Sequence, residues 1–206
     1  MKKRVMIASI FSGNAIRAAM LKFSPDELIL VVEKDIEISN NEDIVRKRET
    51  LKKLQLEYKD ILKINLLHVN SVFDLYDITK KIVEKIDSLD GSEISIHISE
   101  GTKPLAFGMS FASYLRKEKI SGLYYISKDN KILRMPILSI PVNDSQKKLI
   151  LLLNKNSMNT VLFRQKANME KSVFYKYINE LKIKGFIEES EGQLNVSEWG
   201  RIALLK

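Results

Sequence analysis

The chain has 206 residues, 45% of them hydrophobic, with 34 Lys and Arg against 26 Asp and Glu, a formal charge of +8 and no cysteine. That length and apolar content suffice for two small domains with real cores, and the absence of cysteine excludes disulfide frameworks, thiolate metal sites and cysteine nucleophiles. The longest apolar runs, such as Leu149 to Leu153, fall far short of the roughly 20 residues of a membrane span, so no membrane partner, anchor or signal peptide is expected and a cytoplasmic location fits.

From the N-terminus, apolar β-branched runs alternate with segments of helical period. Arg4 to Ile10 precedes Ala15 to Lys22, Glu27 to Val32 precedes Asp43 to Tyr58, and Ile61 to His68 precedes Asp74 to Leu89. Glu93 to Ile98 then leads into Pro104 to Lys117. Strands and helices at this spacing imply right-handed βαβ crossovers, hence an α/β domain with a Rossmann-like, mostly parallel sheet over residues 1–136. Gly122 to Ile126 and Lys131 to Met135 flank Lys128-Asp129-Asn130 and predict a hairpin that closes the sheet.

Such sheets bind ligands beyond the carboxyl ends of their strands, where the strand order reverses. Two loops are predicted there: Phe11-Ser12-Gly13-Asn14 after the first strand and Ser99-Glu100-Gly101-Thr102-Lys103 after the fourth. In the second, glycine admits close backbone approach, Ser99 and Thr102 carry hydroxyls, Lys103 carries a cation, and Pro104 suits the first turn of a helix whose free amides attract anions. The alternative for this turn is a capped helix start with no ligand. No glycine pattern matches G-x-G-x-x-G and no glycine precedes a lysine as a P-loop requires, which disfavours a conventional NAD enzyme or NTPase.

The grammar changes beyond Pro136. Two prolines flank Ile137-Leu138-Ser139-Ile140, predicting an extended connector over residues 137–143 before a second domain over 144–206. Asp144 or Ser145 is expected to cap a helix to about Lys155, and Thr160 to begin a short second helix ending near Lys166. Ala167-Asn168-Met169 turns into a third, from about Glu170 to Lys184, with Gly185 as its stop. Phe186 to Glu189 and Leu194 to Val196 read as two strands, and Ser197 to Leu204 as a last helix. Within Asp144 to Lys184 there are 9 basic residues against 3 acidic ones, so the basic surplus concentrates on these helices.

Three helices, a short ribbon and a final helix resemble a winged helix-turn-helix. The wording Lys184-Gly185-Phe186-Ile187 and Val196-Ser197-Glu198-Trp199-Gly200-Arg201-Ile202-Ala203-Leu204 is similar to bacterial and archaeal regulators in which a helix ends K-G-F/L-I and the wing runs into L-T-x-x-G-R-x-A-L. Phe174, Ile178 and Leu181 share the inward face of the third helix, so Lys171, Ser172, Tyr175, Lys176 and Asn179 are offered to double-stranded DNA, with Arg164 and Lys166 of the second helix set for phosphate. A solvated helix face is the alternative for these residues. Glu188, Glu189 and Glu191 oppose phosphates and argue that the wing stands clear of DNA.

Taken with the polar turn after the fourth strand, the whole chain resembles the CRISPR-associated CARF-domain transcription regulators. In that family the first loop and a fourth-strand turn often written T-G-G-T-K line a pocket across a dimer two-fold and recognise cyclic oligoadenylate. The matching positions are Phe11, Ser12, Gly13 and Asn14, and Ser99, Glu100, Gly101, Thr102 and Lys103. The resemblance implies a homodimeric, ligand-responsive DNA-binding regulator with no catalytic step, no cofactor and no metal, whose ligand is cyclic tetra-adenylate or another ring. Glu100 departs from the commonest motif: a carboxylate beside a phosphate is repulsive unless it turns away or accepts a base amine or ribose hydroxyl. Two rival readings follow: some CARF domains cleave the ring, for which Ser12, Ser99 and Lys103 suffice here, or the α/β domain only dimerises and DNA binding is independent of ligand.

The other polar residues read as structural. His68 and His97 are too isolated for a metal site, Trp199 packs, and Arg46-Lys47-Arg48 through Lys52-Lys53 is a solvated helix face.

Overall fold

Strands β1 (Arg4–Ser9), β2 (Glu27–Glu33), β3 (Lys63–Val69), β4 (Glu93–His97), β5 (Ile120–Ile126) and β6 (Ile132–Met135) form one sheet in the order β3-β2-β1-β4-β5-β6. The first five are parallel and β6 returns antiparallel to β5, as expected for the hairpin. The computed structural model describes residues 2–138 and 141–205. All seven residues of β2 are buried, the signature of a central parallel strand covered on both faces. Its two glutamates are tolerated at the ends because Glu27 takes Lys3 and Asn65, and Glu33 takes Lys47.

The crossovers are α1 (Asn14–Phe23), α2 (Glu42–Tyr58), α3 (Leu75–Asp87) and α4 (Lys103–Leu115). On one face Ile16, Ala19 and Met20 of α1 and Leu51 and Leu54 of α2 pack with Met6, Ala8, Leu28, Leu30 and Val32. Helices α3 and α4 pack together, and Gly108 permits it, since a Cβ there would lie 2.4 Å from Ile78 Cγ2. The order is that of a doubly wound, Rossmann-like sheet, reversing between β1 and β4, which pair in register from Arg4 with Glu93 to Ala8 with His97.

The chain divides into two compact units, Met1–Leu138 and Ser139–Lys206. The connector expected over 137–143 includes Ser139 and Ile140, which lie outside the described residues. The second unit has α5 (Asp144–Lys155), α6 (Thr160–Ala167), α7 (Lys171–Ile183), a hairpin of β7 (Ile187–Ser190) and β8 (Gln193–Val196), and α8 (Glu198–Ala203). Phe163, Phe174 and Phe186 are fully buried at its centre, Phe163 edge-on to Phe174 at 5.3 Å and Phe186 stacked on Trp199 at 5.5 Å. Met158 bridges Leu194 beside the hairpin.

Several helix starts differ by one residue or more from expectation. Asn143, not Asp144 or Ser145, caps α5, in a reciprocal box with Gln146. Helix α6 begins at Thr160 as expected, with Asn159 as its cap. The β7–β8 turn is Glu191-Gly192, both at positive φ, the geometry that a two-residue hairpin requires.

Candidate functional site

The two predicted loops meet at the switch point. Gly13 ends the β1–α1 loop at φ +78°, where a side chain is strained and a Cβ would also lie 2.8 Å from Thr50 Cγ2. Gly101 turns the β4–α4 loop at φ +87°. Between them, the Glu100 carboxylate crosses to the start of α1 and accepts hydrogen bonds from the backbone amides of Phe11 (2.6 Å), Gly13 (2.9 Å) and Ala15 (3.1 Å) and from Ser12 Oγ (3.0 Å). The carboxylate is thus spent on orphan donors of the β1–α1 junction. Arg17, held bidentately by Glu57 at 2.9 Å, lies alongside; Glu57 raises its pKa most, with a smaller contribution from Glu100.

The hydroxyls expected to face a ligand also have structural partners. Ser99 Oγ accepts the Ile126 amide at 2.7 Å, tying the turn to the end of β5. Thr102 caps α4: its Oγ1 accepts from Leu105 N (3.4 Å) and donates to Val72 O (3.2 Å). Ser99 retains its own proton for donation, whereas the Thr102 hydroxyl has both roles filled.

These loops line a cavity of about 670 Å³. Of the predicted residues, Phe11, Ser12, Asn14, Ser99, Glu100, Gly101 and Thr102 line it; Gly13 lies behind the loop and Lys103 stands exposed at the first position of α4, both outside the lining. The cations in the wall are instead Lys47 and Lys128, joined by Asp43, Tyr125, Ser127 and Asn130. The residues from Tyr125 to Asn130 were legible in principle, since a turn that follows a strand beside β4 must stand at the same edge as the βα loops.

Lys47 corrects the reading of its helix as a solvated face. Its side chain is 6% exposed and paired with Glu33, itself 8% exposed, at the carboxyl end of β2. Arg48 is also engaged, donating to the carbonyls of Ile36 (2.7 Å) and Ser39 and so fastening the β2–α2 loop. A neighbouring cavity of about 310 Å³ shares Asp43, Lys47 and Thr102 with the first.

Beneath the site His97 is 3% exposed, edge-on to Phe23 at 4.8 Å and stacked with Tyr124 at 5.3 Å. Its Nε2 lies 3.1 Å from Ser95 Oγ and its Nδ1 has no partner. Burial lowers its pKa from 6.5 to about 4, so the ring is neutral at pH 7. Among the described residues no cluster of His, Cys, Asp and Glu could hold a metal ion, and no helix is long and apolar enough to cross a membrane.

In the second unit Lys171, Ser172, Tyr175, Lys176 and Asn179 are all exposed on α7, opposite the buried Phe174, Ile178 and Leu181. Lys166 is exposed and Arg164 half-buried near the end of α6. Ser172 is already engaged: Glu170 caps α7, accepting from Ser172 N at 3.0 Å and from Ser172 Oγ at 2.5 Å. Glu188, Glu189 and Glu191 are exposed on the hairpin, with Glu189 accepting from Lys182 at 2.5 Å.

Among solved structures, Csm6 from Enterococcus italicus, bound to cyclic hexa-2'-fluoro-hexa-dAMP, is similar with a TM-score of 0.53 at 11% identity, over 89% of this chain and 56% of that one. Protein VC1899 from Vibrio cholerae gives a TM-score of 0.50 at 10% identity, over 98% of this chain and 64% of that one. The chain therefore spans less than two thirds of either, and the likeness is one of fold. No curated protein matches the sequence. Residues 6–131, more than half of the chain, match the family described as HFX_2341_N:-like, N-terminal, and the chain belongs to that family.

Proposed function

We propose that the chain is a ligand-responsive DNA-binding regulator, whose N-terminal unit is a CARF-like sensor of cyclic oligoadenylate and whose C-terminal unit is a winged helix-turn-helix on double-stranded DNA. The observation that carries the sensor reading is the switch-point cavity itself. Phe11 and Tyr125 stand partly exposed on its wall, Asn14 and Asn130 also line it, and Lys128 supplies a cation. Aromatic faces stack on bases, amides pair with base edges and lysine meets phosphate, so this set suits a nucleotide. The fold shared with Csm6, seen with a cyclic nucleotide bound, supports the same ligand class.

A ring of identical nucleotides repeats the same groups, so two copies of the chain about a two-fold each take half of it, which is the reason for proposing a homodimer. The β5–β6 hairpin offers the transmission. Lys128 and Asn130 sit on its turn, and β6 is the last strand before the unit ends at Leu138. A ligand that prefers one placement of that hairpin shifts the chain toward it; equal affinity for both shifts nothing. DNA binding rests on the exposed Lys171, Tyr175, Lys176 and Asn179 of α7, with Ser172 held back by Glu170.

Calorimetric titration of the full chain with cyclic tetra-adenylate and cyclic hexa-adenylate tests the sensor, with Lys128→Ala and Lys103→Ala alongside. Binding of one ring per two chains, weakened by Lys128→Ala, is expected; no heat from either ring overturns the reading. Ring cleavage is the second reading, favoured by the Ser12 hydroxyl held at 3.0 Å from Glu100 within the cavity wall. Chromatography of labelled ring after prolonged incubation separates the two, since linear product means cleavage and intact ring means sensing.

A further inference from the structure

We infer that Glu100 is a specificity residue that keeps ligand phosphate away from the start of α1, so that the anionic groups of a ligand are met instead at Lys128 and Asn130. The inference rests on reading the cavity as a site for an anionic ligand.

The argument begins with the loop. A left-handed Gly13 before a helix turns successive amides inward and makes a concave anion nest, reinforced by the helix dipole. In this chain the nest is full. The Glu100 carboxylate accepts from the amides of Phe11, Gly13 and Ala15 and from the hydroxyl of Ser12. Four donors to one carboxylate, three of them rigid backbone groups, form a charge-assisted set stronger than ordinary hydrogen bonds.

Its geometry is fixed from behind. Ser9 Oγ accepts the Glu100 amide at 3.3 Å, Ser99 fastens the preceding residue to β5, and Gly101 reverses the chain immediately after. Arg17 adds a positive neighbour. Because the carboxylate is part of the same chain, its effective concentration at the nest far exceeds that of a free ligand. An arriving phosphate would have to displace it and then sit beside the displaced charge. Elsewhere in the wall Lys128 and Asn130 are exposed on the β5–β6 turn.

The test is amide NMR of the full chain titrated with inorganic pyrophosphate and with cyclic tetra-adenylate, for wild type, Glu100→Ala and Glu100→Gln. In wild type the amides of Phe11, Gly13 and Ala15 hold their shifts while those of Lys128 and Asn130 move. Glu100→Ala empties the nest, and pyrophosphate then binds at least about tenfold more tightly, with the three amides now moving, as expected for release of one charge-assisted contact set. Glu100→Gln keeps the shape but not the charge and falls between, which secures the result should Glu100→Ala fold poorly. Movement of those amides in wild type on binding either probe overturns the inference, as does a Glu100→Ala chain with no gain for pyrophosphate. If wild type ignores cyclic tetra-adenylate while Glu100→Ala gains pyrophosphate at the three amides, the role of Glu100 stands and the oligoadenylate reading falls.

Discussion

His97 should make the α/β unit acid-sensitive in a window set by burial. Replacing it with phenylalanine keeps a ring between Phe23 and Tyr124 and removes the titrating nitrogen that has no partner. In the unfolded chain the imidazole takes a proton near its ordinary 6.5; folded, burial holds it neutral to about 4. Between those values the unfolded state binds more protons, so stability rises with pH from about 4 to 6.5 and levels off above. Since each pKa unit is worth a little over 1 kcal/mol, wild type loses about 2–3 kcal/mol through this residue between pH 8 and pH 4.5. Carboxylates titrate in the same range, but they are common to both proteins, and the difference between wild type and His97→Phe isolates the histidine. Urea unfolding followed by the methyl signals of Ile7 and Ile96 reports the α/β unit, while fluorescence of Trp199, the single tryptophan, reports the second unit as an internal reference. Equal acid losses for the two proteins, or a His97 ring titrating near 6.5, would refute the reasoning.

Three further outcomes follow from the same structure. Glu33→Ala leaves Lys47 charged and buried without its partner and should cost about 3–5 kcal/mol in urea unfolding, whereas the double change Glu33→Leu with Lys47→Met should cost far less. Gly13→Ala forces a side chain into φ +78° and against Thr50, for a loss of about 1–3 kcal/mol by the same assay. On DNA, Lys176→Ala should weaken binding to all sequences and flatten its salt dependence by about one unit of slope, while Asn179→Ala should relax sequence preference; a gel-shift series across salt and operator variants distinguishes them, and unchanged binding in both would remove α7 from the interface.

The sheet and its helices were legible because strand and helix periods are local properties. Apolar runs such as Leu28 to Val32 announce a strand covered on both faces, and glycines at 13, 101 and 185 punctuate the chain where positive φ is needed. The switch point could be placed for the same reason, since strand order in such folds is restricted enough to bring the first and fourth loops together. What periodicity does not encode is which polar group each polar side chain satisfies. Ser99, Thr102 and Lys103 read alike as a phosphate-binding turn with Glu100 as its exception, yet Ser99 accepts from β5, Thr102 caps a helix, Lys103 stands outside the cavity and Glu100 fills the nest of another loop. Lys47 shows the converse: flanked by arginines, it reads as solvent-facing, and only the end of β2, fourteen residues earlier, makes its burial tolerable. Composition can therefore mark where a ligand binds in a fold of this kind, but the free hydrogen-bonding capacity of the site belongs to tertiary structure. In this chain the turn after β5 places Lys128 in the cavity wall while Lys103 of the turn after β4 lies outside it, which is why the loss of Lys128 rather than of Lys103 should be felt by a ligand in the cavity.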